Sequence, residues 1–160
     1  LRLSWIRHIS AWHGILDVKI MVNKRVLSSK TDAARRHVAR IVEKRQVGLP
    51  VFLEDLDRQE SILFNFQMAI QSCIDIASHV VAEEELGIAG STNELFYLLE
   101  ENGIIPTALA ERMVQAVGFR NLIVHEYGRV NLEIVYRAAR ENLDDLLEFM
   151  QVILGRFGQQ

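Results

Sequence analysis

The stretch that decides the fold is residues 56–86, LDRQESILFNFQMAIQSCIDIASHVVAEEEL. Apolar residues recur along it at alternating steps of three and four, at Leu63, Phe66, Ile70, Cys73, Ala77 and Val80. That period predicts one long helix of about Leu56–Leu86 with these residues on a single stripe. Further apolar residues widen the stripe: Ile62, Met68, Ala69, Ile74, Ile76 and Val81. A helix that is apolar on more than one face is buried on two sides, and in a small bundle the second side is often another subunit.

Helical patterns also account for the rest of the chain. A first pattern covers residues 31–46, Ser91-Thr92-Asn93-Glu94 forms a capping box before another, and Pro106 stands where a first-turn proline belongs. Asn131 is placed to cap one last helix. No alternation of the β type competes anywhere, and only two prolines interrupt 160 residues. We therefore predict an all-α, up-and-down bundle of four to six helices.

The N-terminal segment, residues 1–21, is set apart from the helical domain of residues 22–160. The chain opens at Leu1, and its first methionine is Met21. The segment lacks the apolar core of a signal peptide, and charged residues interrupt any membrane-spanning run. Its apolar residues nevertheless recur at helical spacing. Two interpretations stay open: a leader that is not part of the natural chain, or an extra amphipathic helix.

Composition restricts the classes of function. A chain of 160 residues suits one domain, and a formal charge of −3 argues against strong, sequence-blind binding to nucleic acids, which requires a dominant basic surface. Cys73 is the only cysteine, so an intrachain disulfide and a cysteine-based zinc site are excluded. That cysteine usage fits a reducing compartment. We expect a cytoplasmic protein with no cofactor, no metal ion and no membrane partner.

A non-periodic stretch between two glycines carries the candidate chemistry. Residues 118–128 read GFRNLIVHEYG and place Arg120, His125 and Tyr127 in the pattern Arg-x4-His-x-Tyr. A chain of this composition would hold roughly 0.01 such matches by chance, so the spacing is a moderate signal. Residues five apart on a regular helix point about 140° apart. Either the helix breaks between Arg120 and His125, which the flanking glycines favour, or a dimer interface completes the site.

The chemistry that these residue types suit is metal-independent cleavage of RNA, in which a ribose 2′-hydroxyl attacks the adjacent phosphate. The reaction needs proton transfer near neutral pH, the range in which histidine ordinarily titrates. It also needs positive charge fixed against the phosphoryl oxygens, which an arginine fork supplies. With one motif histidine per chain, a single imidazole would have to serve as both the acid and the base. A two-fold dimer would bring two copies together.

Residues 120–127, RNLIVHEY, resemble the signature of HEPN domains, in which an arginine is followed by a polar residue and then, a few positions on, by histidine. The longer version that ends in tyrosine resembles the HepT branch, the ribonuclease toxins of two-gene toxin–antitoxin modules. The run of residues 65–79 is also similar to that family's long central helix. The resemblance covers about Val22–Leu154.

This resemblance implies an all-helical homodimer with a composite cleft built from both copies of the motif. It implies that Arg120 and His125 are the RNA-cleaving pair and that Asn121 is a supporting polar group. It also implies a type VII-like module, in which a partner antitoxin with a minimal nucleotidyltransferase (MNT) fold transfers AMP to the motif tyrosine, here Tyr127. Such a modification would add bulk and negative charge to a phosphate-binding cleft and so block RNA.

Other interpretations of the same residues stay open. Arg120 can simply lie near a helix C-terminus, where cations are favoured, while His125 is a turn histidine and Tyr127 a packed aromatic. A second functional hypothesis is a non-catalytic helical subunit of a nucleotidyltransferase, whose cleft holds a nucleotide or the partner's active-site loop. The pI near 6.0 mildly favours this second hypothesis because it offers no strong RNA-binding surface.

Two further groups of polar residues have both a structural and a functional interpretation. Asp75 and His79 lie four residues apart, so they share a helix face and are predicted to form a buried or interfacial polar pair. A functional pair is the alternative, although the two residues lack the further ligands that a metal site needs. A basic run, Arg35 to Arg45, is typical of a solvated helix face, with guidance of RNA as the functional alternative.

Overall fold

The structure is a computed structural model that describes residues 6–158, with side chains described from residue 24 onward. Within these residues it contains seven α-helices and one turn of 3₁₀ helix: α1 Ile6–Lys44, α2 Leu49–Glu54, α3 Leu56–Glu83, α4 Thr92–Glu101, α5 Thr107–His125, the 3₁₀ turn Tyr127–Arg129, α6 Leu132–Glu141 and α7 Leu143–Phe157. No strand occurs between residues 6 and 158, which confirms the all-α prediction.

The N-terminal helix is longer than the pattern of residues 31–46 predicted. Its backbone is helical without interruption from Ile6 to Lys44. Residues 1–5 of the proposed leader lie outside the described residues. The division of the chain into residues 1–21 and 22–160 stays a prediction.

The prediction of four to six helices was too low for the described part of the chain, and two local features explain the difference. α2 forms around Pro50 because proline is tolerated in the first turn of a helix, and Gly48 precedes it in an extended conformation. The last predicted helix is divided in two at Asn142, whose side chain can compete with helical hydrogen bonds. The acidic residues Asp144 and Asp145 then lie in the first turn of α7, where negative charge favours a new helix start.

α3 is the central helix, and every residue of its predicted stripe is buried. It contacts each of the other six α-helices. Asn131 caps α6 as predicted, since its side chain accepts hydrogen bonds from the backbone N–H groups of Glu133 and Ile134. The hydrophobic period of α3 therefore predicted the middle of the bundle correctly, because an apolar surface wider than one face is buried on more than one side.

The packing of α5 on α3 positions the candidate site. The rings of Phe66 and Phe119 meet edge to face with centroids 5.1 Å apart. The next residue on α5, Arg120, donates a hydrogen bond to Gln71 of α3. Tyr127 lies close enough to the Glu60 carboxylate, near the start of α3, for that negative charge to raise the pKa of its hydroxyl. The two helices therefore run antiparallel, and the C-terminal end of α5 lies beside the first half of α3.

In the part of the chain that the structure describes, no helix is long and apolar enough to cross a membrane.

Candidate functional site

α5 is continuous through the motif, so the first of the two alternatives, a helix break between Arg120 and His125, does not occur. The helix runs from Thr107 to His125, and Gly118 is one of its exposed residues. A glycine inside a helix costs only about 1 kcal/mol, and the burial of Val117 and Ile123 on either side outweighs that cost. The helix ends at His125 because Glu126 departs from helical geometry, with φ −131° and ψ 37°.

Arg120 is half-buried and anchored by two side chains. Its Nη2 donates to Oε1 of Gln71 at 2.7 Å, and its Nη1 donates to Oδ1 of Asn121 at 2.9 Å. Its Nε is buried, with no hydrogen-bond acceptor among the side chains and backbone that the structure describes. Asn121 thus contacts the guanidinium directly, and the arginine is held in one orientation instead of extending freely into solvent.

His125 is exposed at the last position of α5. The ring belongs to the final turn of the helix, where the backbone carbonyl dipoles make positive charge favourable. An exposed imidazole at such a position is open to contact with another molecule. Arg120 and His125 nevertheless point about 140° apart on the continuous helix, so one chain does not bring them face to face.

Tyr127 lies in the 3₁₀ turn that follows α5 and is 49% exposed. Desolvation, followed by the negative charge of Glu60, raises the pKa of its hydroxyl above the ordinary tyrosine value. The phenol is therefore protonated at neutral pH and is able to donate a hydrogen bond. An open concavity is lined by His125, Glu126, Tyr127, Gly128 and Arg129, so the motif histidine and tyrosine share one surface.

Gln71, which holds Arg120 together with Asn121, was not predicted from the sequence, and the predicted partner of Asp75 was wrong. The carboxylate of Asp75 accepts hydrogen bonds from Nε2 of Gln71 at 2.9 Å and from Nζ of Lys30 at 3.3 Å. Nε2 of His79 is buried and lacks a partner within the described residues, so the predicted Asp75–His79 pair is not formed. The four-residue spacing of Gln71 and Asp75 was a usable signal, since such residues are neighbours on a helix.

The arginines of the basic run, in α1 and just after it, differ in their contacts. Arg40 is paired with Glu43 through two contacts of 2.8 Å, and Arg45 donates to the backbone carbonyl of Ala139 at 2.9 Å. Arg35 and Arg36 are exposed, and a role for them in guiding RNA stays a prediction. In residues 24–158, no group of three or more histidine, cysteine, aspartate or glutamate side chains is placed to hold a metal ion.

Comparison with known proteins gives consistent matches over most of the chain. Residues 34–153 match the family model described as ribonuclease HepT-like. The chain is 34% identical over 128 residues to the mRNA nuclease HepT of Shewanella oneidensis, an alignment that covers 80% of this chain and 96% of that protein.

Solved structures give the same picture. A crystal structure of a toxin–antitoxin with AMP-PNP contains a chain that matches with a TM-score of 0.78 and 32% identity, covering 82% of this chain and 99% of that one. The structure of the tri-AMPylated Shewanella oneidensis HEPN toxin in complex with MNT antitoxin matches with a TM-score of 0.77 and 33% identity, covering 82% of this chain and 98% of that one.

Proposed function

Since the chain belongs to the ribonuclease HepT-like family, we propose that it is the endoribonuclease toxin of a type VII-like toxin–antitoxin module, and that Arg120 and His125 cleave RNA without a metal ion. Membership confirms the resemblance that the motif indicated. The observation that carries the proposal is that the last turns of α5 carry both an anchored arginine and an exposed histidine. Anchored positive charge and an accessible proton carrier are what this cleavage requires.

In the proposed reaction, the ribose 2′-oxygen attacks the adjacent phosphorus and gives its proton to an imidazole acting as base. The bond from phosphorus to the 5′-oxygen breaks, and the leaving oxygen takes a proton from an imidazolium acting as acid. The products carry a 2′,3′-cyclic phosphate and a 5′-hydroxyl. The guanidinium of Arg120 stabilises the negative charge that develops on the phosphoryl oxygens.

We place this reaction in a homodimer with one composite groove. Each chain contributes one His125, whereas the reaction uses a base and an acid, and a two-fold axis supplies the second imidazole. Apolar side chains near the motif stay exposed in the single chain, with Phe64 at 55%, Val124 at 39% and Tyr127 at 49%. Large apolar residues that are exposed in the single chain favour a protein–protein contact when they form one patch, and we propose that the dimer interface covers these three.

The proposed partner is an MNT-type nucleotidyltransferase antitoxin that transfers AMP to Tyr127. The phenolic oxygen attacks the α-phosphorus of ATP, pyrophosphate leaves, and the phenolic proton passes to a base. The half-exposed ring leaves the hydroxyl within reach of a partner enzyme. The added phosphate brings negative charge beside His125, which repels RNA from the groove. A cytoplasmic location stays a prediction that follows from this role.

The nuclease proposal is tested by incubating the purified protein with RNA in the presence of a chelator. We expect cleavage that leaves 2′,3′-cyclic ends, with a loss of about 100-fold or more in His125→Ala and Arg120→Ala. Arg137→Ala, which removes an exposed arginine on α6, is the matched control and is expected to keep full activity. Intact RNA with the parent protein would reject the nuclease and favour the non-catalytic subunit of a nucleotidyltransferase.

The regulatory proposal is tested separately with the neighbouring nucleotidyltransferase and ATP, followed by intact mass measurement. We expect the parent protein to gain adenylyl groups and lose nuclease activity. Tyr127→Phe is expected to gain none on that residue, whereas Tyr97→Phe, which changes another exposed tyrosine on α4, is modified like the parent. Modification that persists in Tyr127→Phe would assign the acceptor elsewhere.

A further inference from the structure

A chain of polar contacts crosses three helices and ends on Arg120. Nζ of Lys30 on α1 contacts the Asp75 carboxylate at 3.3 Å, and Nε2 of Gln71 donates to the same carboxylate at 2.9 Å. Oε1 of Gln71 then accepts from Nη2 of Arg120 at 2.7 Å. Resting on the proposed function, we infer that Gln71 and Asp75 are positioning residues for the RNA-cleaving arginine.

The orientation of the Gln71 amide is determined by its two neighbours. The guanidinium of Arg120 can only donate, and the ionised carboxylate of Asp75 can only accept. An amide between them satisfies both groups in one orientation alone, with its oxygen towards Arg120 and its nitrogen towards Asp75. Asp75 therefore fixes the direction of the carbonyl that holds the arginine, although it does not touch Arg120 itself.

A neutral anchor keeps the arginine available for phosphate. Of the five N–H donors of a guanidinium, one points to Gln71, one to Asn121, and the Nε donor is buried. One N–H on each terminal nitrogen is left for phosphoryl oxygens. Glutamine leaves the positive charge uncompensated, whereas a carboxylate at the same place would pair with it strongly and compete with RNA.

This chain of polar contacts affects the rate of RNA cleavage more than it affects the stability of the fold. The side chains of Lys30 and Asp75 are 35% and 42% exposed, and ion pairs with that exposure add little to folding stability. An unanchored arginine must instead be ordered in each catalytic cycle, which raises the barrier of the chemical step. We therefore expect that breaking this chain of polar contacts lowers kcat without a matching loss of thermal stability.

The test compares four variants with the parent protein in kcat, KM and thermal unfolding midpoint. Gln71→Met keeps the length of the side chain and removes both hydrogen bonds, and we expect kcat to fall about 10-fold or more at an unchanged unfolding midpoint. Asp75→Ala is expected to act in the same direction, because the Gln71 amide is then free to turn. Asp75→Asn retains an acceptor for Gln71 and is expected to recover most of the activity. Gln115→Met, an exposed glutamine on α5, is the matched control and is expected to behave as the parent.

A second measurement keeps this inference independent of catalysis. Nitrogen NMR of the Arg120 side chain in the full chain reports how freely its guanidinium rotates. We expect restricted rotation in the parent and in Asp75→Asn, and fast rotation in Gln71→Met and Asp75→Ala. Unchanged kcat together with restricted rotation in Gln71→Met would overturn the inference. Absence of RNA cleavage by the parent, with these changes in rotation intact, would instead reject the nuclease and leave the positioning role standing.

Discussion

Arg120 and His125 lie five residues apart on one unbroken helix, so their side chains leave α5 in directions about 140° apart. A single chain therefore presents the two groups on different surfaces. In the proposed dimer, one groove combines the surfaces of two chains so that both groups reach one phosphate. The consequence can be measured without knowing the RNA target.

Mixing parent and His125→Ala chains distinguishes a shared groove from two separate sites. If the acid and the base are the two His125 rings of one dimer, only parent homodimers cleave. Random assortment after joint refolding of equal amounts then leaves about one quarter of the activity of the same total amount of parent. Two independent sites would leave about half.

The control for this experiment is a mixture of parent with Arg137→Ala, which is expected to keep full activity. Light scattering under the same conditions reports whether the chains form dimers. A linear decrease with the fraction of His125→Ala, or a monomer that cleaves RNA, would contradict the shared groove.

The hydroxyl of Tyr127 gives a second prediction. Burial, and then the charge of Glu60, hold its pKa above the ordinary tyrosine value. Replacing Glu60 by glutamine removes a negative charge that disfavours the phenolate. We expect the pKa of Tyr127 to fall towards the value of free tyrosine. Absorbance of the phenolate during a pH titration measures it, with Tyr127→Phe subtracted to isolate this residue from Tyr97 and Tyr136. An identical titration in parent and Glu60→Gln would show that the carboxylate does not act on the phenol.

Sequence periodicity predicted the scaffold well and the site only in part. The stripe of α3 is buried as predicted, because a helix with so wide an apolar surface has no stable exposed arrangement. Of the two alternatives for the motif, the break in α5 does not occur, because the conformational freedom of Gly118 is overridden by the burial of its neighbours.

The anchor of Arg120 was beyond sequence reasoning. Gln71 and Arg120 are 49 residues apart, and their contact depends on how α3 and α5 pack. No local pattern specifies that register. The Gln71–Asp75 spacing was visible, but the same helix face also contains His79, and the sequence does not show that Asp75 bonds to Gln71 while Nε2 of His79 is buried without a partner within the described residues.

The start of α3 gives a prediction about acid stability. The Asp55 carboxylate accepts from the backbone N–H of Arg58 at 3.0 Å and contacts its side chain at 3.1 Å. That backbone hydrogen bond, and then the arginine side chain and its charge, lower the pKa of Asp55 below its ordinary value of 3.8, against the opposing effect of desolvation. A lowered folded-state pKa adds stability above pH 3.8 that is lost as the pH falls through the folded value.

Asp55→Asn tests this directly, because asparagine also caps helices but carries no charge. We expect the parent to have the higher free energy of unfolding at neutral pH. The difference is expected to shrink as the pH falls below about 4 and the carboxylate takes up its proton. Urea unfolding at a series of pH values measures both proteins. A difference that stays constant down to the most acidic values would show that the charge of Asp55 is not involved.

Cys73 offers the last prediction, since it is the cysteine at the centre of the α3 stripe and is fully buried. Burial raises the pKa of its thiol to about 12. The thiolate is the reactive form, so alkylation of the native protein at mild pH is expected to be slow and to accelerate only in urea concentrations that unfold the chain. Ser78→Cys places a second thiol on the exposed face of the same helix and is expected to take up one label rapidly under native conditions. Mass spectrometry after timed alkylation separates the two positions, and rapid native labelling of Cys73 would mean that α3 opens locally without global unfolding.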